Sequence, residues 1–172
     1  HNGALMMMVI VSFLPYLDAT ARQKPTTEMG EMVPIIEGNV WDYFMNNTPS
    51  DITRQIGGRI TLWNDIVAHP DYDAWWRERD ARRATKGITS SVLMVGGTYD
   101  AEDPFGVWKI YRSLKENNPK LDCRIVVGPW AHGAWRSNDD ANRLGEVEFS
   151  PESMSEFYRK EVEFPFFEQK LR

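Results

Sequence analysis

Two short apolar runs, each stopped by glycine, set the hydrophobic pattern of the second half of the chain. Val92-Leu93-Met94-Val95 ends at Gly96-Gly97, and Cys123-Arg124-Ile125-Val126-Val127 ends at Gly128-Pro129. Runs this brief, bounded by turn residues, read as buried strands rather than helices. Between them Val107, Ile110, Tyr111 and Leu114 recur at i, i+3, i+4 and i+7, the apolar face of a helix. Strand, helix and strand in that order form a crossover unit of a parallel sheet. In open parallel sheets, ligands and reactive groups collect just past the carboxyl ends of the strands. Asp100 follows the first strand and His132 follows the second.

The first half has a different pattern. Residues 4–17 contain the apolar run Ala4-Leu5-Met6-Met7-Met8-Val9-Ile10-Val11. No basic region precedes it and no small-residue cleavage site follows, so a signal peptide is disfavoured, and it is too short to span a bilayer. It reads as a buried segment. Residues 22–38 are polar and broken by Pro25, Gly30, Pro34 and Gly38, as in a linker. Val40-Trp41, Phe44 and Met45 then make one helical face, and residues 46–51 form a break rich in helix-capping types. Ile60, Leu62, Trp63, Ile66 and Val67 predict a helix ending at His69-Pro70. Asp71-Tyr72-Asp73 opens another through Trp75-Trp76 and the run Arg77-Glu78-Arg79-Asp80-Ala81-Arg82-Arg83, with Gly87 as its terminator. The intermixed charges indicate a solvated face. The tryptophans pack helices together, with one or two left as candidates to line a pocket. His69 reads as a surface residue at a helix end.

Past His132, residues 135–140 form a polar loop, in which Asp139-Asp140 lacks the additional oxygen ligands a calcium site requires. Glu146 to Phe149 predicts a short edge strand. Ser150-Pro151-Glu152 reads as a helix start, with serine as cap and proline in the first turn, and Pro165 should kink or interrupt that helix.

Composition narrows the class. The 172 residues are 42% hydrophobic and 26% charged, ordinary values for a globular chain, with a formal net charge of −5. No basic stripe exists to meet phosphates, which argues against nucleic-acid binding. The single cysteine, Cys123, lies in a strand pattern and reads as a small buried hydrophobe.

An acid and then a histidine at successive strand ends is the second half of the order Ser, Asp, His seen in α/β-hydrolases. In that chemistry the imidazole takes and returns the proton of a serine hydroxyl, while the carboxylate fixes its tautomer. The competing reading makes Asp100 a helix cap and His132 a loop residue. The surrounding residues favour the first. Gly128-Pro129-Trp130-Ala131-His132-Gly133 resembles the histidine motif of the superfamily that holds X-prolyl dipeptidyl-peptidases, cocaine esterase, α-amino-acid ester hydrolases and glutaryl-7-aminocephalosporanic acid acylases. Val95-Gly96-Gly97-Thr98-Tyr99-Asp100-Ala101-Glu102-Asp103 resembles its acid motif, in the form closest to the ester hydrolase and acylase branch. The resemblance runs from His1-Asn2-Gly3 to Pro165-Phe166-Phe167. It implies that Asp100 and His132 are the triad acid and base. Glu102 and Asp103 match carboxylates that hold a substrate's α-ammonium group, and Tyr99 and Trp130, in the same motifs, are substrate-contacting candidates. Three carboxylates within four positions repel one another unless a cation or hydrogen-bond donors offset them. The alternative is that Asp103-Pro104 simply opens a helix, where acids meet its positive end.

The same resemblance expects a Gly-x-Ser-x-Gly elbow, and none occurs in these residues. In the superfamily the nucleophile and the oxyanion-hole tyrosine precede the segment resembling His1-Asn2-Gly3, and a β-sandwich follows the final helix, so the chain is expected to be a fragment. The expected architecture is α/β: a partial α/β-hydrolase of parallel strands and crossover helices with a helical cap insertion. Residues 1–20 would be a hydrolase segment leading into the cap, 21–88 the cap, and 89–172 the C-terminal part of the hydrolase domain. The expected activity is serine-type cleavage of a small-molecule ester or amide through an acyl-enzyme, with these residues alone inactive. The alternative is a catalytically inactive binding or interaction module derived from the same fold. No metal or organic cofactor is implied, and neither nucleic acid nor membrane is expected as partner. The resemblance leans toward a secreted or periplasmic location, and exposed sheet edges leave self-association into a homo-oligomer open. A dinucleotide site on Gly96-Gly97 is disfavoured, because the glycine spacing is wrong.

Overall fold

Apolar runs at the two predicted strand positions pair as expected. The computed structural model describes residues 38–56, 60–137 and 142–171. The apolar segment 4–17, nearly all of the stretch 22–38 and the pair Asp139-Asp140 lie outside the described residues. The chain divides into two compact units between Arg79 and Asp80.

In the second unit β1 (Val92–Gly97) and β2 (Cys123–Gly128) run parallel, in register from Val92 opposite Cys123 to Gly97 opposite Gly128. They are joined by a 14-residue helix spanning Pro104–Asn117, called α5 below. Leu114, Leu121 and Cys123 form a buried cluster, and Ile88, Val92, Met94, Ile110 and Tyr111 pack against it. The Cys123 thiol is pushed up from its ordinary pKa by burial, which fits a packing role. This arrangement of mixed helices and a parallel pair is α/β.

A polar lock secures the C-terminal end of α5. Thr85, buried at the end of a 3-10 turn (Ala81–Thr85), meets Ser113 Oγ at 2.8 Å and accepts from Asn117 Nδ2 at 2.9 Å. Asn118 Nδ2 donates to the Thr85 carbonyl at 2.7 Å, and its Oδ1 accepts from the Gly87 amide at 2.9 Å. Gly87 has a φ of +78°, the left-handed conformation expected of a terminator.

Among the described residues, four helices precede this unit: α1 (Val40–Asn46), α2 (Pro49–Ile56), α3 (Thr61–Ala68) and α4 (Ala74–Glu78). Trp63, Ile52 and Ile60 are buried, and the Trp63 indole donates to Thr53 Oγ1 at 2.9 Å. Three expectations need correction here. On the apolar face drawn for α1, Trp41 is 66% and Met45 83% exposed, and only Phe44 among the described side chains is half-buried. The stretch 46–51 is more than a break, because a helix, α2, begins within it at Pro49. The Thr48 and Asp51 side chains exchange hydrogen bonds with each other's backbone amides, and Pro49 sits at the first helical position. The helix expected through the arginine run stops at Glu78, because Asp80 turns its carboxylate onto the Arg82 amide and caps a separate 3-10 turn.

Downstream, the expected edge strand is half of a small antiparallel hairpin, β3 (Arg143–Leu144) with β4 (Val147–Glu148). The last helix does not begin at Ser150. Ser153 is its cap, accepting from the Glu156 amide, and α6 runs Met154–Tyr158; Ser150 Oγ instead closes a turn on the Glu152 amide. The α-helix is interrupted just ahead of Pro165, as expected, but by a change of helix type rather than by a loop. A π-helical turn at Arg159–Glu163, in which the Phe164 amide reaches back to the Arg159 carbonyl, precedes Pro165, and α7 continues over Phe164–Leu171. The wider turn accommodates a residue that has no amide proton and whose ring would crowd the carbonyl four residues back. Asp122 ties α7 to β2 by pairing with Arg124 at 3.0 Å and Lys170 at 2.6 Å. These two cations hold its carboxyl down at about 2.

Candidate functional site

The parallel ladder continues past the strand ends and carries both candidate residues with it. Thr98 N donates to the Gly128 carbonyl at 2.9 Å, and Tyr99 N to the Trp130 carbonyl at 3.1 Å. Gly97 and Gly128 permit this approach. A Cβ on Gly97 would lie 2.0 Å from the Trp130 carbonyl oxygen, and one on Gly128 would lie 2.4 Å from the Trp130 ring. No side chain fits at either position while the two loops stay this close.

Asp100 and His132 meet there. His132 Nδ1 lies 3.0 Å from Asp100 Oδ2 and 3.1 Å from Oδ1. The Asp100 side chain is only 2% exposed, whereas that of His132 is 47% exposed. Asp100 Oδ1 also accepts from the amides of Glu102 at 2.8 Å and Asp103 at 3.1 Å. Burial alone would push the Asp100 carboxyl up, but those two amides and the imidazole more than offset it and hold it below the usual carboxylate range. An ionised carboxylate accepts only, so Nδ1 carries the proton and Nε2 is left to exchange one. The hydrogen bond that Nδ1 donates to Asp100, reinforced by the charges of Asp100, Glu102 and Asp103, raises the His132 pKa above its ordinary value despite some desolvation.

The remaining candidates fall in different surroundings. Glu102 Oε2 stands 3.7 Å from His132 Nε2, the ring nitrogen that is not bonded to Asp100. Asp103 is exposed at the N-terminus of α5, where its carbonyl accepts from Val107 and its side chain makes no capping bond. Tyr99 is half exposed and stacks on Phe149 at 5.4 Å. Trp130 is only 3% exposed, packed edge-on against Tyr158 at 5.5 Å and Trp135 at 6.3 Å. Its indole thus wedges the two loops, and its N–H has no acceptor among the described residues. In the first unit His69 pairs with Asp73 and stacks on Trp75 at 5.0 Å, with Arg79 over the same indole.

The residues that hold the His132 loop from behind carry no motif. Ser155, fully buried, donates to the Ala134 carbonyl at 3.0 Å, and Arg159 donates to the Ser137 carbonyl at 2.9 Å. Together with Tyr158 they anchor the loop to the C-terminal helix. A serine and an arginine four apart on a helix carry no sequence signal of this kind; only the fold brings them under the loop.

Comparison with known proteins gives two findings. The family profile of X-Pro dipeptidyl-peptidase (S15 family) matches residues 15–134, a span that contains both Asp100 and His132. A 90-residue stretch is 28% identical to the cocaine esterase of Rhodococcus sp. (strain MB1 Bresler), covering 51% of this chain and 15% of that protein's length.

Proposed function

The chain belongs to the X-Pro dipeptidyl-peptidase (S15) family, and from that premise we propose that Asp100 and His132 are the acid–base half of a serine-type acyl-hydrolase site. The observation that carries this reading is the contact of Nδ1 with a buried, backbone-anchored carboxylate. Asp100 would fix the ring's tautomer and steady the imidazolium, while His132 Nε2 takes the nucleophile's proton and passes it to the leaving group. The catalytic serine and oxyanion donors have no motif within residues 1–172, so this stretch alone is expected to show no acyl transfer. An acylase or α-amino-acid ester hydrolase specificity is the finer proposal. It rests on Glu102, 3.7 Å from the ring, and on Asp103 next to it in the chain, whose charge also acts on His132; two such carboxylates suit a substrate ammonium group. No metal or organic cofactor enters this chemistry.

The test uses the intact gene product and two ester substrates, one with an α-amino group and one uncharged. Asp100→Asn is expected to lower kcat about ten-thousand-fold for both, the loss seen when a triad acid no longer holds its histidine in the right tautomer. The pair Glu102→Gln and Asp103→Asn should raise KM for the amino ester alone. Equal effects on both esters would defeat the ammonium assignment. An Asp100→Asn variant with near-normal kcat would remove Asp100 from the triad, and an intact gene product that hydrolyses neither ester would favour the inactive binding module instead.

A further inference from the structure

His132 is flanked by two carboxylates, and the two are held very differently. Asp100 is buried, takes two backbone amides and lies at hydrogen-bond distance from Nδ1. Glu102 is 30% exposed, and its 3.7 Å approach to Nε2 is too long for a hydrogen bond. It is an attraction of charge, which a competing cation can take over. Nε2 is also the only ring atom left for proton transfer, because Nδ1 is committed to Asp100. A ring with an anion at each nitrogen is stabilised as imidazolium, and an imidazolium has no lone pair with which to act as a base.

We infer that Glu102 is a positioning residue that strengthens the hold of His132 Nε2 on its proton, and that a cationic group arriving beside Glu102 weakens that hold and readies the ring to act as a base. This rests on the acid–base reading of Asp100 and His132 and adds a coupling to it. The charge of the substrate would then set the readiness of the base as well as binding. Among the described residues, the charged groups that act on the ring are Asp100, Glu102 and Asp103 from the loop after β1; the Arg136 guanidinium lies beside Gly133. When the cation pairs with Glu102, the Nε2 proton is given up to solvent more readily, and the neutral imidazole stays bonded to Asp100 through Nδ1–H.

Nuclear magnetic resonance titration of the histidine rings in the 172-residue chain tests this directly, because only three histidines are present and His132→Gln identifies the signal. In Glu102→Gln the His132 pKa should fall by about half a unit, the size expected of one screened charge at this distance. Excess ethylammonium, compared with sodium at equal ionic strength, should lower it in the unsubstituted chain and leave Glu102→Gln unmoved. A His132 pKa that Glu102→Gln does not change overturns the inference, as does an ethylammonium effect equal to that of sodium. Asp100→Asn separates the two levels of the argument. If it lowers the His132 pKa while Glu102→Gln does nothing, the acid–base pair stands and the coupling fails. If neither substitution moves it, the acid–base reading fails as well.

Discussion

At the scale of single residues, the pair Asp100–His132 links proton binding to stability in a predictable direction. The folded-state pKa of His132 lies above its ordinary value of 6.5, so its contribution is fully present below about pH 6.5 and is lost as pH rises through the folded value. That of Asp100 lies below 3.8, so its contribution is present above about pH 4 and is lost as pH falls through its folded value. The pair therefore stabilises most in the mildly acidic window between them. Asparagine at position 100 keeps an oxygen for the Glu102 and Asp103 amides while removing the charge. Thermal melts of Asp100→Asn should show the largest deficit near pH 5–6 and a smaller one near pH 9; a deficit independent of pH would contradict the linkage. Gly97 makes the second prediction. Its neighbour is a carbonyl oxygen of the main chain, which cannot rotate away, so Gly97→Ala should cost about 2 kcal/mol or more in urea unfolding. By displacing the Trp130 loop it should also return the His132 pKa toward its ordinary value.

At the scale of elements, the legible parts of the sequence were those in which a local pattern and the tertiary structure ask for the same thing. The strands 92–97 and 123–128 and the Val107-Ile110-Tyr111-Leu114 face of α5 lie where spacing puts them. The capping details lie elsewhere, because several serines and acids in one short stretch compete to cap. Ser150 and Ser153 are both plausible starts for α6, and only the fold selects the second, since Ser155 has to reach the Ala134 carbonyl. Ser153→Ala should thus cost about 1 kcal/mol and Ser150→Ala less than about 0.5 kcal/mol. The reverse ranking would place the helix start where the sequence alone suggested. The helix α2 was legible in principle: Thr48-Pro49-x-Asp51 is a capping sequence, although its acid is shorter than the usual glutamate. The Thr85 lock was not, because its partners Ser113, Asn117 and Asn118 lie about thirty residues away. Thr85→Val, which preserves shape and removes the hydroxyl, should destabilise by about 1–2 kcal/mol in denaturant titration.

At the scale of the molecule, the S15 family match spans the boundary between the two units and takes in both residues of the candidate pair. Residue types and their placement after strands were enough to nominate Asp100 and His132. The distance between them, the burial of one and the exposure of the other depend on long-range packing by Trp130, Tyr158, Ser155 and Arg159, which no local pattern encodes. Parallel sheets in known folds are covered on both faces. Here the two strands have an open edge on each side among the described residues, and residues 1–172 on their own are expected to self-associate. Sedimentation velocity over a range of concentrations should show mass increasing with concentration; a strict monomer throughout would contradict this.

The most direct test of His132 as general base is chemical rescue. In the intact gene product, His132→Ala should reduce kcat for an uncharged ester by about a thousand-fold or more, and free imidazole added to the assay should restore part of the loss by supplying the missing base. Activity within a few-fold of the unsubstituted protein, or a loss that imidazole leaves untouched while Asp100→Asn proves harmless, would show that proton transfer runs through another residue.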